Sequence, residues 1–291
     1  MRFSTVFAVS VVLFVFVLFV AVAGDGNIEG VRREYAQLGV HRGGKGLYPE
    51  NTIFAYTEST RRWKGCLLEG DIRLTKDGVA VLIHDATVDR TTDGTGNVAE
   101  KTVEELKMLD AGYRFTTDGG NTYPFRGKGI AIPTLEEVLE SFPSETFLFE
   151  IKVPLEDLSA VVEPILKRKM EGRVYLASFY AGTIQKIRKN YPMLMTCYTI
   201  ADAGGLINAL RNGGLDKYSP PAQMLAMSPD LEKDFQLTPD NIESIRRKGV
   251  KVLVFTVNTQ EYMEKYLREY EIDWILTDYP DRYESLVKSF K

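Results

Sequence analysis

Short apolar runs rich in β-branched residues alternate with amphipathic stretches from residue 38 to the end of the chain. The runs predict eight main strands, at residues 38–41, 67–73, 146–153, 174–179, 194–200, 224–227, 250–258 and 274–278. Stretches with helical spacing lie between most of them, at residues 51–63, 154–170, 182–190, 204–212, 238–248 and 260–270. Such alternation implies a parallel sheet, and eight strands in about 270 residues favour an α/β fold, the closed (β/α)8 TIM barrel.

The open, doubly wound sheet is the alternative architecture for this pattern. It usually carries a glycine-rich phosphate turn after a strand, and residues 43–46 do follow the first strand. Their sequence, GGKG, lacks the G-x-G-x-x-G spacing of that turn. The barrel is therefore the better prediction.

One interval, residues 86–131, interrupts the alternation. It is too long for a simple loop and has little strand pattern, although residues 102–109 are amphipathic. Just after it, Thr134 with Glu136 and Glu137 predicts the capped start of a new helix. Because long loops at the catalytic end of a barrel are usually functional, we interpret residues 86–131 as a small cap inserted after the second strand.

Residues 1–23 form a segment of a different kind. Arg2 precedes an apolar run at residues 6–20, and residues 21–23 make an A-x-A cleavage pattern. This predicts a signal peptide. An uncleaved signal anchor, with membrane association through residues 4–23, is the alternative, because the apolar run approaches the length that spans a bilayer. Both alternatives predict a protein of the secretory pathway, secreted or membrane-anchored, with its main domain outside the cytosol.

The composition narrows the class of protein. Hydrophobic residues make up 44% of the chain and charged residues 26%, which are ordinary globular values. The formal net charge is −4 with no long basic block, which argues against nucleic acid as a partner. Two cysteines, Cys66 and Cys197, do not make a disulfide framework. We predict buried free thiols, and a single bridge formed after export is the alternative.

Residues 67–85 combine two strand patterns with acidic side chains and a histidine, in the sequence LLEGDIRLTKDGVAVLIHD. The two-residue repeat of a strand places Glu69 and Asp71 on the same side. An Asp-Gly pair at residues 77–78 predicts a tight turn. The second strand pattern then brings His84 beside the two carboxylates.

The chain contains two histidines, His41 and His84, and each ends a predicted strand. A lone histidine is usually structural or simply exposed. Two histidines at strand ends, where barrel enzymes place their catalytic residues, favour a catalytic role. We predict that they form an acid–base pair, because imidazole is the side chain whose pKa suits proton transfer near neutral pH.

A third acidic strand end comes from the run FEIK, in which Glu150 and Lys152 share one side. Glu69, Asp71 and Glu150 could thus converge on one cation. Three hard oxygen ligands suit Mg²⁺ or Ca²⁺ better than Zn²⁺. The alternative is a set of acids at the barrel mouth paired with Arg42 and Lys152, and spacing alone leaves both open.

Arg42 and Lys152 are predicted to bind an anion, Arg42 as a fork and Lys152 as a point charge. Asn51 begins a predicted helix, where it either caps the helix or directs its amide at the anion. Glu50 faces the same mouth and is a further candidate metal ligand. Together these groups fit hydrolysis of a phosphodiester, in which one histidine deprotonates the attacking hydroxyl and the other protonates the leaving alkoxide.

These residues stand in motifs that resemble the glycerophosphodiester phosphodiesterase family. The motifs are His41-Arg42-Gly43-Gly44, Pro49-Glu50-Asn51-Thr52, Glu69-x-Asp71, His84-Asp85, Glu150-Ile151-Lys152, Phe255-Thr256-Val257-Asn258 and Thr277-Asp278. The segment VDRTTDGTG at residues 88–96 also looks like the start of the family's insertion. Six or more motifs in the right order, over essentially the whole chain after the N-terminal segment, make the resemblance specific.

The resemblance implies a phosphodiesterase barrel over residues 35–290. It also implies hydrolysis of small glycerophosphodiesters to sn-glycerol 3-phosphate and an alcohol, with Ca²⁺ or Mg²⁺ as cofactor. In the family, three acidic positions hold the metal, two histidines act as acid and base, and an arginine and a lysine touch phosphate. The matching residues here are Glu69, Asp71, Glu150, His41, His84, Arg42 and Lys152.

Two other functions stay open. A lysophospholipase D or sphingomyelinase D-like activity would use the same site on a lipid-bearing phosphodiester. A catalytically inactive barrel, used as a binding module, would have lost histidines or acids, and here every proposed position is filled. Phe255 stands where the family more often has tryptophan, which alters a pocket wall but not the proposed chemistry.

Overall fold

Parallel strands form the centre of the fold in the computed structural model, which describes residues 37–229 and 237–290. The strands are β1 (Gln37–Val40), β2 (Leu67–Leu74), β3 (Ala80–Leu82), β4 (Thr146–Ile151), β5 (Val174–Ala177), β6 (Met195–Thr196), β7 (Met224–Met227), β8 (Lys251–Val254) and β9 (Trp274–Thr277). All except β3 are parallel to their neighbours, in the order β6-β5-β4-β2-β1-β9-β8-β7.

The two ends of this order meet between β6 and β7. Cys197, just after β6, forms a parallel bridge with Met224 of β7. The N–H of Tyr198 donates to the carbonyl of Met224 at 2.8 Å. This contact closes the circle of eight strands, so the predicted (β/α)8 barrel is confirmed.

Helices follow the strands and cover the outside of the barrel, and one short helix, at residues 103–107, lies instead in the insertion after the second strand. They are α1 (Ile53–Arg62), α2 (Val103–Lys107), α3 (Leu135–Ser141), α4 (Ser159–Lys167), α5 (Ala181–Asn190), α6 (Ile200–Arg211), α7 (Pro239–Arg247), α8 (Gln260–Arg268) and α9 (Pro280–Ser289). The capping box of Thr134 and Glu137 begins α3 as predicted. A second capping box, of Thr199 and Asp202, starts α6 earlier than its periodicity indicated.

Alternate residues of the barrel strands face two apolar layers. Leu68 and Phe147 pack with helix residues such as Val161 in an outer layer. Leu67 and Leu148 belong to a cluster drawn from most of the barrel strands and from no helix, which is the barrel interior. Because side chains on a strand repeat every second residue, Glu69 and Asp71 continue the interior row of Leu67 toward the C-terminal rim, and Glu150 continues that of Leu148.

Both cysteines are free and buried, as predicted. Cys66 lies in the outer layer and Cys197 in the barrel interior. The sheet therefore separates the two thiols, and no bridge joins them.

The insertion, residues 86–131, is a small cap after the second strand, in agreement with the prediction. It is introduced by β3, which pairs antiparallel with the end of β2. Its own apolar cluster includes Val88, Val98 and Leu106, packed against Val81 and Ile83 of the β3 segment. The cap is therefore held to the barrel by a hairpin and by a separate core.

The N-terminal prediction concerns residues that lie outside the described part of the chain. The signal peptide or anchor at residues 1–23, and the location that follows from it, stay predictions. Within residues 37–229 and 237–290, no helix is long and apolar enough to cross a membrane.

Candidate active site

The predicted site residues meet at the C-terminal rim of the barrel. His41 and Arg42 follow β1, Glu69 and Asp71 lie in β2, and Glu150 lies near the end of β4. Since parallel strands end at the same rim, residues far apart in sequence become neighbours there. The antiparallel turn through β3 adds His84 to the same group.

The backbone around Arg42 adopts an uncommon conformation. Arg42 has φ 52° and Asn51 has φ 57°, in the left-handed region that few side chains prefer. Two hydrogen bonds hold them: the Arg42 N–H donates to Glu69 Oε2 at 2.8 Å, and the Asn51 N–H donates to the Arg42 carbonyl at 2.9 Å. Gly43 follows with φ 79°, and a Cβ atom there would lie 2.7 Å from Ala55. Glycine is thus required at position 43, where the chain turns over the site.

Asp71 is the centre of the polar network. Its Oδ2 lies 3.1 Å from Arg42 Nε, and its Oδ1 lies 3.2 Å from Lys152 Nζ. Asn51 Nδ2 donates to Oδ2 at 3.0 Å, and the Asp71 N–H donates back to Asn51 Oδ1 at 3.1 Å. Burial opposes ionisation of Asp71, but the charges of Arg42 and Lys152 lower its pKa below the ordinary value. The carboxylate is therefore ionised.

The pKa of Glu69, two residues before Asp71 on the strand, shifts in the opposite direction. Burial and the charge of Asp71 raise the pKa of Glu69 well above the ordinary value, although Arg42 opposes this. Two adjacent buried carboxylates cannot both be ionised cheaply with the positive charge available. Glu69 is therefore biased toward its protonated form.

Two further buried oxygens lack hydrogen bonds. Asp71 Oδ1 and Glu150 Oε1 accept none from the described residues. The other oxygen of Glu150 lies 2.6 Å from Lys152 Nζ. In the part of the chain that the structure describes, no three acidic, histidine or cysteine side chains are close enough to hold a metal ion as they stand. The arrangement is one of acids paired with Arg42 and Lys152, and the metal site stays a prediction.

Each histidine pairs with an aspartate through Nδ1. His41 Nδ1 lies 2.6 Å from Asp278 Oδ1, and His84 Nδ1 lies 2.7 Å from Asp85 Oδ1. A carboxylate only accepts hydrogen bonds, so these partners assign the proton to Nδ1 and leave Nε2 for proton transfer. His41 Nε2 lies 3.8 Å from Glu69 Oε2.

Charge and burial set the protonation states of these pairs. Burial opposes ionisation of both aspartates, but His41 lowers the pKa of Asp278, and Arg90 with His84 lowers the pKa of Asp85 to about 2. Burial also lowers the pKa of His41 below its ordinary value. Both carboxylates are therefore ionised near neutral pH, and His41 is biased toward its neutral form.

Two predictions about the β1–α1 segment are refined. Asn51 is not the cap of α1: the cap is Thr52, whose hydroxyl accepts from the Ala55 N–H at 3.1 Å. The Asn51 amide bonds Asp71 instead. Glu50, the further candidate ligand, pairs with Arg42 at 3.1 Å and with Arg90 at 2.8 Å.

Three important side chains received no role from the sequence. Asp278 and Asn258 stand in family motifs, and Asn258 Nδ2 donates to Asp278 Oδ2 at 2.8 Å. Arg90 stands in the cap. The available signal for Asp278 was its position directly after the last strand, equivalent to that of His41 after the first.

Residues 41–282 match the model of the glycerophosphoryl diester phosphodiesterase family. The chain belongs to this family. It is 30% identical over 285 residues to the glycerophosphodiester phosphodiesterase of Bacillus subtilis, covering 93% of this chain and 92% of the relative. It is 34% identical over 254 residues to that of Caldanaerobacter subterraneus, covering 85% and 96%. These relatives confirm the prediction of an enzyme of the phosphoric diester hydrolase class, and they do not favour an inactive barrel.

Solved structures of the family share the fold. The glycerophosphodiester phosphodiesterase of Agrobacterium tumefaciens has a TM-score of 0.69 and 25% identity, covering 86% of this chain and 99% of that one. An Oleispira antarctica phosphodiesterase in complex with its product sn-glycerol-3-phosphate has a TM-score of 0.65 and 24% identity, covering 87% and 97%. The TIM-barrel prediction is confirmed by both.

Proposed function

We propose that this phosphodiesterase hydrolyses glycerophosphodiesters to sn-glycerol 3-phosphate and an alcohol in a metal-dependent reaction, with His41 and His84 as acid and base. The observation that carries the proposal is the pair of histidines at one rim, each held by an aspartate through Nδ1. This arrangement leaves two imidazole Nε2 atoms for the two proton transfers that hydrolysis of a diester needs. The same product is named for the Oleispira antarctica enzyme.

The acidic residues fit a divalent cation by their chemistry. Glu69, Asp71 and Glu150 offer hard oxygen donors, and Asp71 Oδ1 and Glu150 Oε1 accept no hydrogen bond from the described residues. We propose that these three residues hold Mg²⁺ or Ca²⁺, with Glu50 as a further candidate. The bound ion would supply positive charge to the phosphoryl oxygens.

Arg42 and Lys152 are proposed to bind the phosphate. Arg42 is buried and Lys152 is partly buried at the rim, with side-chain exposures of 10% and 14%, and both lie near Asp71. A guanidinium fork and an ammonium beside the acids would bind the non-bridging oxygens and orient the diester. One amide N–H of Asn51 is taken by Asp71. Its phosphate contact, which stays a prediction, would use the second N–H.

Proton transfer is assigned to the histidines. One Nε2 removes a proton from the attacking hydroxyl, either of water or of the glycerol moiety, and the other imidazole protonates the leaving alkoxide. When the glycerol hydroxyl attacks, it forms a cyclic phosphate, and water then opens this ring to give sn-glycerol 3-phosphate. Asp278 and Asp85 accept from Nδ1 in both steps, so each ring keeps its orientation as it gains or loses a proton. Replacing His41 or His84 by alanine should lower kcat by about 10²–10⁴-fold without unfolding the barrel.

A substrate panel tests the proposal. The full chain would be assayed on glycerophosphocholine, glycerophosphoinositol and lysophosphatidylcholine, with EDTA and with Ca²⁺ or Mg²⁺ added back. We expect cleavage of the glycerophosphodiesters, loss with EDTA and recovery with the metal. Cleavage of the lysolipid alone would contradict the proposal and favour the lysophospholipase D or sphingomyelinase D-like alternative, which the named relatives do not favour. Full activity after thorough chelation would contradict the metal assignment.

A further inference from the structure

Arg90 of the cap joins two carboxylates on the barrel side of the site. Its Nε donates to Asp85 Oδ2 at 2.6 Å and its Nη2 to Asp85 Oδ1 at 3.3 Å. Its Nη1 donates to Glu50 Oε2 and its Nη2 to Glu50 Oε1, both at 2.8 Å. The guanidinium therefore makes a two-point contact with each acid, which fixes both its own plane and theirs.

Each of these acids contacts a residue of the proposed mechanism. Asp85 Oδ1 is the partner of His84 Nδ1, and Glu50 Oε1 lies 3.1 Å from Arg42 Nη1. Arg90 is thus linked to His84 through Asp85 and to Arg42 through Glu50. Arg90 received no role from the sequence and takes no direct part in either proton transfer.

The contacts of Asp85 explain why an arginine is needed. Asp85 lies at the edge of the site, with its side chain 30% exposed and that of His84 32% exposed. An aspartate in such a position can rotate toward solvent, and His84 would then lose the acceptor that selects its tautomer. A bidentate guanidinium holds the carboxylate plane, which a point charge such as that of lysine cannot do equally well.

We propose that Arg90 is a positioning residue that holds Asp85 and, through Asp85, keeps the imidazole of His84 in the orientation and tautomer that proton transfer requires. This inference rests on the acid–base role proposed for His84. It gives one residue of the cap a positioning role, because Arg90 orients a histidine of the barrel side.

The first test compares two variants that each remove an ion pair between the cap and the barrel. Arg90→Gln removes the contacts to Asp85 and Glu50. Lys107→Gln, the matched control, removes the pair between Lys107 of α2 and Glu137 of α3, which touches neither histidine. We expect Arg90→Gln to lower kcat by about 10- to 100-fold, with a smaller change in KM, and Lys107→Gln to keep the kcat of the unaltered protein. Equal effects of the two variants, or an unchanged kcat in Arg90→Gln, would overturn the proposal.

A double-mutant cycle tests whether Arg90 acts through Asp85. If it does, Arg90→Gln should add little to the loss of kcat already caused by Asp85→Asn, because the carboxylate that it holds is gone. If the two losses multiply, Arg90 acts by another route and the proposal fails. Arg90→Lys should recover only part of kcat, because an ammonium cannot hold the carboxylate plane as a bidentate guanidinium does. Full recovery would overturn the proposal.

A spectroscopic measurement gives a readout independent of turnover. With only two histidines in the chain, the imidazole ¹⁵N signals of His84 can be assigned by comparison with His84→Ala. We expect the fraction of the Nδ1–H tautomer to fall in Arg90→Gln and to stay unchanged in Lys107→Gln. Unchanged tautomer and kcat in Arg90→Gln, with His84→Ala inactive, would overturn this inference alone. An active His84→Ala would instead overturn the proposed function.

Discussion

At the scale of single residues, the two histidines have the same kind of partner but reach it in different ways. His84 is held by the next residue, Asp85, so its partner follows from the sequence directly. His41 is held by Asp278, which is 237 positions away. That partner exists only because the first and last strands of the barrel are neighbours, with Val40 paired to Thr277. The same His–Asp pair therefore occurs twice, once between neighbouring residues and once between the two ends of the barrel sequence.

Replacing Asp278 by asparagine should lower kcat by about 10²-fold or more, because an amide can also donate and no longer selects the Nδ1–H tautomer of His41. Asp273→Asn is the matched control, since Asp273 lies just before β9 and Asp278 just after it. Asp273 accepts from the Val252 N–H and pairs with Arg246 and Lys251. We expect its variant to lose about 1–3 kcal/mol of unfolding free energy while kcat is retained.

Steady-state kinetics and thermal unfolding on both variants check this contrast. The interpretation would be wrong if Asp278→Asn kept its turnover, or if Asp273→Asn lost turnover as severely at a temperature where it remains folded.

At the scale of elements, the inward-facing side chains of β2 change from apolar to acidic along the strand. Leu67 packs in the barrel interior, and Glu69 and Asp71 follow it toward the rim. The strand alternation that predicts a core position at one end thus predicts a site position at the other. The cap is a separate structural element, because its apolar cluster around Leu106 is distinct from the two apolar layers of the barrel.

Leu106→Ala should therefore loosen the cap without unfolding the barrel. Leu106 is fully buried, and its truncation leaves a cavity that costs about 2–5 kcal/mol. Hydrogen exchange should become faster at residues 86–131 and stay unchanged at the barrel strands. Met108→Ala, the control two positions along, removes a side chain that is 84% exposed and should change neither. Uniformly faster exchange over the whole chain would show that the cap and the barrel unfold together.

At the scale of the whole molecule, the barrel depends on the contact between β6 and β7. β6 has two residues, and a bridge from Cys197 to Met224 completes the circle. Cys197 faces the interior and Cys66 faces the outer layer, so both are exposed only when the fold opens. Burial raises the pKa of each thiol to about 12, and the reactive thiolate is correspondingly rare at neutral pH.

A thiol reagent such as DTNB at pH 8 should therefore label neither cysteine in the native protein. In denaturant, both cysteines should react, and the reagent should release two equivalents of its coloured thiolate per chain. The absorbance of that thiolate measures labelling of the native and of the denatured protein. Rapid labelling under native conditions would contradict the burial of Cys66 or Cys197 described here.

The sequence by itself determined the features that depend on neighbouring residues. Strand runs predicted all eight barrel strands, and the capping box at Thr134 predicted the start of α3, because such signals act within a few positions. Glu69, Asp71 and the two histidines could be selected as site residues because each lies in or after a strand, and the barrel brings strand ends together.

The tertiary structure decided which of these groups contact one another. Asn51 and Thr52 are both capping residues by type, and only the contact of Asn51 with Asp71 leaves the cap to Thr52. The pairing of Asp278 with His41 and the bridge made by Arg90 join segments that the chain alone does not relate. The physical reason is that periodicity and capping are local, whereas strand register and the closing of the barrel set distances between residues far apart in sequence.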